Sequence, residues 1–111
     1  MKYQFIITGR RWFQKSYGNT YHTATMEVRD ENGNTIYTNK SGERYGYGDQ
    51  FVVTATEYFF KAGYLDGIKN YSNGGTEPLW AYCERMGYPR PIINTIDVTR
   101  ERDLNEMVYS K

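Results

Sequence analysis

Cysteine is nearly absent from this 111-residue chain: Cys83 stands alone. That excludes an intrachain disulfide and a cysteine cluster for zinc, and it fits a reducing compartment. Histidine is as scarce, with His22 the only copy. A Ser–His–acid or Cys–His pair would have to use it, and no carboxylates stand at a recognisable metal-ligand spacing around it. His22 is therefore expected to be a strand histidine with a structural hydrogen bond. No catalytic residue, metal or cofactor is expected, and the chain reads as a non-enzyme. Long apolar runs are missing as well. No stretch approaches the ~18 residues of a membrane-spanning helix, and the polar start lacks the apolar segment of a secretory signal. A soluble cytosolic protein without a membrane partner is the expectation. With 3 prolines and 11 glycines the chain has no linker, repeat or low-complexity tract, so residues 1–111 are read as one domain.

Acidic residues are missing from the first 26 positions, which hold Lys2, Arg10, Arg11 and Lys15. The whole chain carries only +1, so the N-terminal quarter is a local basic region in a nearly neutral protein. What the chain has in excess is tyrosine, with 12 copies among 17% aromatic residues. Tyrosine packs its ring while keeping its hydroxyl wet, so a Tyr-rich small domain combines a core with an adhesive surface.

The clearest local pattern runs from Gln50 to Ala62. Asp49 stands at a helix N-cap, Gly63 at the left-handed position that ends one, and Phe51, Val52, Ala55, Tyr58, Phe59 and Ala62 share one side at helical spacing. Such a stripe needs a sheet face to cover it. Val53 and Phe60 fall outside the stripe. Either a later segment covers them, or they face a partner, in the simplest case a second copy in a two-fold homodimer. Tyr45-Gly46-Tyr47-Gly48 precedes the helix, but it lacks both the third glycine of a dinucleotide fingerprint and the Gly-Lys-Ser/Thr of a phosphate loop. It reads as a tight loop entry.

Around this helix the pattern predicts strands at Tyr3 to Thr8, Thr20 to Arg29, Asn34 to Asn39 and Ile92 to Val98. Gly9 is placed to end or bulge the first. Asn32-Gly33 predicts a type I′ hairpin, because both central residues would need positive φ. Thr76 is placed to cap a second helix, with Leu79, Trp80 and Cys83 facing inward, and Gly87 and Pro89 stopping it. Leu104, Met107 and Val108 give the charged tail a helical spacing. The order β-β-β-α-α-β predicts an α+β fold: a small antiparallel sheet with the main helix packed on one face.

Residues 10–22 are the most informative polar stretch. Arg10, Arg11, Trp12, Lys15, Tyr17 and His22 interleave cations with aromatic rings. Cations neutralise phosphates and rings stack on bases, which makes this a candidate nucleic-acid contact. Arg and Trp also anchor protein interfaces, and strand-end packing would use the same residues.

Gly9-Arg10-Arg11-Trp12-Phe13, Gly18-Asn19-Thr20-Tyr21-His22, Tyr45-Gly46-Tyr47-Gly48-Asp49-Gln50, and Leu79-Trp80 with Cys83-Glu84-Arg85 resemble phrases of small bacteriophage and prophage proteins. The likeness spans most of the chain and brings no activity or catalytic residue with it. It implies an accessory protein in a bacterial host cytoplasm, where such proteins bind nucleic acid or a host or phage protein. The expectation is a non-enzymatic binding protein contacting nucleic acid through 10–22, with a protein-binding modulator, such as an inhibitor of host defence, as the alternative.

Overall fold

The computed structural model describes residues 2–70 and 75–105. Strands β1 (Gln4–Gln14), β2 (Asn19–Arg29), β3 (Thr35–Lys40) and β4 (Arg44–Tyr45) come first. Helices α1 (Gln50–Lys61) and α2 (Leu79–Met86), strand β5 (Ile92–Val98) and a short 3-10 helix, Glu101–Asn105, follow. The fold is α+β, with α1 on one face of the sheet.

The sheet order is β3-β2-β1-β5, with β4 also paired to β2. The first three strands form an antiparallel meander, but β5 runs parallel to β1, from Ile6↔Ile92 to Trp12↔Val98. The sheet is therefore mixed. Parallel neighbours require a long crossover, and the helical segment between Gln50 and Met86 supplies it.

Gly9 does not end β1. Its register with β2 is unbroken from Gln4↔Arg29 to Gln14↔Asn19. Gly9 faces Ala24 across the strands, and the two small residues leave a depression that the Phe51 ring occupies where a Gly9 Cβ would stand. The glycine serves helix–sheet approach rather than a bulge.

Asn32-Gly33 does make the β2–β3 connection, but only Gly33 has positive φ, +80°. The Gly33 N–H donates to Asp30 O at 3.0 Å, and the Asp30 carboxylate accepts from the N–H groups of Asn32 and Asn34. This is the longer loop built on an i→i+3 turn followed by a left-handed glycine. Asp30 supplies the local acceptor that makes it preferable to a type I′ turn. At α1, Asp49 occupies the N-cap without a side-chain hydrogen bond to the first turn, and Gly63 closes the other end at φ +89°.

Side-chain alternation along β1 and β2 sets up the two faces of the sheet. Phe5, Ile7, Ala24, Met26 and Val28 pack under Phe51, Ala55 and Phe59 of α1 in one fully buried cluster. Leu79, Tyr82 and Cys83 of α2 and Leu65 extend it. The tyrosines find their place around this core. Tyr3 meets Tyr64 and Tyr88 edge-on at 5.3 and 5.7 Å, and Tyr37 meets Tyr64 at 5.3 Å, the offset geometries that ring quadrupoles favour. On the opposite face the 3-10 helix buries Leu104, whose carbonyl accepts from the Thr23 hydroxyl. The tail positions Met107 and Val108 lie outside the described residues.

Candidate functional site

Strand alternation divides the basic aromatic stretch between the two faces. Arg10 and Trp12 point away from α1, while Arg11 and His22, cross-strand partners, point toward it. Arg10 is buried beneath the 3-10 helix, its Nη1 donating to Asp103 O at 3.3 Å. Trp12 stacks on Tyr21 at 5.9 Å. Arg11 forms a two-pronged pair with Asp97 of β5, at 2.7 and 3.1 Å, and also donates to Gly48 O. That pairing holds the Asp97 carboxyl below its ordinary range. His22 is buried: its Nδ1–H donates to Gly46 O at 3.1 Å, and the Thr54 hydroxyl donates to Nε2 at 2.9 Å. Burial pushes its pKa down. It therefore locks the Tyr45–Gly48 loop to α1 as a neutral ring. Lys15 and Tyr17 are exposed on the β1–β2 turn. Phe13, Tyr45 and Tyr47 are exposed as well, Phe13 and Tyr47 lining one shallow pocket with Arg11 and Asp97, and Tyr45 on the other face beside Tyr21. The cations there are largely engaged: Arg11 by Asp97, and Arg44 by Glu57 at 3.3 Å and by the Tyr58 ring.

A larger concavity lies elsewhere, on the α1 side of the sheet. It is an open groove of about 720 Å³. One wall is the flank of α1 with Val53 and Phe60, the other is formed by Ile68, Asn70 and residues 75–80, and Ile93 of β5 lies in it. Ile93 belongs on this side because its register partner, Ile7, is in the core beneath α1. Four large apolar side chains stand about half exposed here: Val53 50%, Phe60 56%, Trp80 60% and Ile93 45%.

Val53 and Phe60 thus lie in the open, with Ile68, Asn70 and residues 75–80 opposite them across the groove. Trp80 corrects an expectation. Helical spacing with Leu79 and Cys83 assigned it to the core, but Leu79, Tyr82 and Cys83 form the buried face, and Trp80 sits one step round from Leu79. The spacing 79, 82, 83 fits a helical stripe better than 79, 80, 83, so this signal was present in the sequence. Ile93 gave no such signal, because its exposure depends on how far α1 reaches across the sheet.

An ion pair fastens the described part of the far wall. Glu77 is buried and accepts from Arg85 at 2.9 and 2.8 Å and from the Lys69 N–H at 3.2 Å. Arg85 also donates to Gly67 O, tying α2 to the loop before it. Thr76 does not cap α2; it pairs with Asn70, and Pro78 occupies the cap position. The Arg85 guanidinium holds the Glu77 carboxyl at about 2. Because the folded value lies below the ordinary 4.5, the pair stabilises the fold fully above that pH, and its contribution fades as pH falls toward 2. Urea titrations of wild type and Glu77→Gln between pH 6 and 2 are expected to differ most at the upper end. The wild-type midpoint should drop toward the variant's on acidification. Parallel curves would show that this pair does not bear on stability.

Burial pushes the Cys83 thiol up to about 11, so it remains protonated in the core. Among the described residues, no three of His, Cys, Asp and Glu gather as a metal-binding group, and no helix is long and apolar enough to cross a membrane. Fold and site together define a small α+β domain with an open apolar groove beside its main helix. Comparison with protein-family models, curated proteins and solved structures returns no match to this chain.

Proposed function

We propose that this chain is a small non-enzymatic binding protein of phage accessory type, and that it docks a host or phage protein in the groove beside α1, in the bacterial cytoplasm. The observation that carries the reading is the convergence of Val53, Phe60, Trp80 and Ile93, all about half exposed, from three separate elements onto one concave surface. Contiguous exposed apolar surface marks interaction sites, and aromatic side chains anchored in such a depression are the usual energetic centres of protein interfaces. The resemblance to phage and prophage proteins supports the setting but not the ligand.

Nucleic-acid contact through residues 10–22 is the second reading. The exposure of Lys15, Tyr17, Phe13, Tyr45 and Tyr47 favours it, since these aromatic rings are open to stacking. Against it stands the engagement of Arg11 and Arg44 by carboxylates and the burial of Arg10 and His22.

Affinity capture from bacterial lysate, with and without nuclease, separates the two. The expected result is a protein retained after nuclease treatment and lost with Trp80→Ala, a truncation that should cost about 2–4 kcal/mol of binding at an interface centre. Circular dichroism confirms that the variant is folded. If capture vanishes with nuclease, depends on Lys15 and Tyr17, and falls steeply with salt, the second reading replaces the first.

A further inference from the structure

We infer that the groove receives an amphipathic helix of the partner, with basic residues flanking its apolar stripe, laid alongside α1. The inference rests on the reading of the groove as a protein interface and names what that interface takes.

Three observations converge on it. The α1 wall consists of Asp49, Val52, Val53, Thr56, Glu57 and Phe60. Their spacing of three, four, seven, eight and eleven is one whole helix flank, from the N-cap to the last turn. Residues so spaced form the ridges against which a second helix packs. At 1.5 Å per residue the flank is roughly 17 Å long, the length of a helix of about eleven residues.

The second observation is coverage. Two helices share this face of the sheet, since Leu79, Tyr82 and Cys83 of α2 join the cluster that α1 covers. α1 packs on β2 and β1, while Ile93 of β5 lies exposed in the groove. Neither helix covers it, and a helix laid between the α1 flank and Trp80 would. A strand added to β5's outer edge would lengthen the sheet and leave the α1 wall bare.

The third is charge. The groove lining contains three carboxylates, Asp49, Glu57 and Glu77, and no lysine or arginine. Glu77 is held by Arg85, but Asp49 and Glu57 stand on the exposed rim, with Glu57 meeting Arg44 at a single 3.3 Å contact. A helix whose leucine-type stripe is bordered by lysine or arginine complements this rim, and an acidic one is repelled by it.

The test uses three synthetic peptides of about fourteen residues, long enough to span the groove. One is a leucine–lysine helix with leucines at helical spacing. The second has glutamate in place of lysine. The third has the first's composition with the leucines scattered. None contains tryptophan. Trp80 reports occupancy: the protein has two tryptophans, and Trp12→Phe leaves Trp80 as the only emitter. The lysine peptide is expected to blue-shift its emission and to bind about tenfold or more tighter than either other peptide. Phe60→Ser and Val53→Ser should each weaken it by a similar factor while leaving the circular dichroism melt unchanged. Asp49→Asn with Glu57→Gln should reduce its salt dependence.

Equal binding of the glutamate or scattered peptide overturns the inference, as does indifference to both Phe60→Ser and Val53→Ser. A photo-crosslinker at position 53 separates the layers. Crosslinking to a strand or loop of a captured protein, with the peptides failing, sinks the helix and leaves the groove reading standing. Failure of peptides and crosslinker together sinks both. Self-association in sedimentation that Val53→Glu abolishes would assign the groove to a second copy of this chain and also overturn the inference.

Discussion

Phe59→Ala is expected to remove about 3–5 kcal/mol from the free energy of unfolding, a large part of the ~5–15 kcal/mol that a small domain holds in reserve. Phe59 is fully buried at the centre of the α1 stripe. Its ring lies 4.8 Å from Phe5 and 6.3 Å from Tyr37, so it joins β1 and β3 to the helix. Truncation leaves a cavity lined by residues of three elements, and those fixed to the sheet cannot collapse into it. The measurement is urea or thermal denaturation beside the wild type. A change under ~1 kcal/mol would show that the ring is not part of the core. Phe60→Ala, one residue on but facing the groove, is expected to change stability little, and the contrast fixes the helix phase.

The second large effect falls on the smallest residue. Gly9→Val should cost about 3 kcal/mol or more, because overpacking a filled site forces side chains off their rotamers and shifts backbone. The Phe51 ring already occupies the space of a Gly9 Cβ. Backbone conformation is no obstacle, since Gly9 is a strand residue within an unbroken ladder. The effect is therefore steric, and it must depend on Phe51. A double-mutant cycle of Gly9→Ala with Phe51→Leu is expected to be less destabilising than the two single changes added, with a coupling of about 0.5–3 kcal/mol. Additive costs would mean that the two positions do not share the space.

How far the sequence carries can be followed in individual residues. The α1 stripe was legible because its periodicity is a local consequence of helix geometry: Phe51, Ala55 and Phe59 are all fully buried. Gly63 and Gly87 mark real helix ends at positive φ, and β2 and β5 appear close to their expected bounds. Gly9 was read locally as a strand terminator, because the need for space there belongs to a ring 42 positions away. Arg10 and Arg11 read together as one basic patch in sequence. In a strand, adjacent residues face opposite sides, so one is covered by the 3-10 helix and the other is paired with β5.

The sequence by itself determined what depends on neighbours along the chain: an α+β order, the helix phase, the exclusion of an intrachain disulfide, and the two residues, Val53 and Phe60, that do not belong to the core stripe. Tertiary structure alone decided which surface those residues make. The parallel docking of β5 on β1 brings Ile93 beside α1, and the crossover through α2 brings Trp80 opposite them. Local periodicity says which way a side chain points from its own element. Only the distances between elements fix whether another element meets it, and here neither α1 nor α2 reaches over Ile93 of β5.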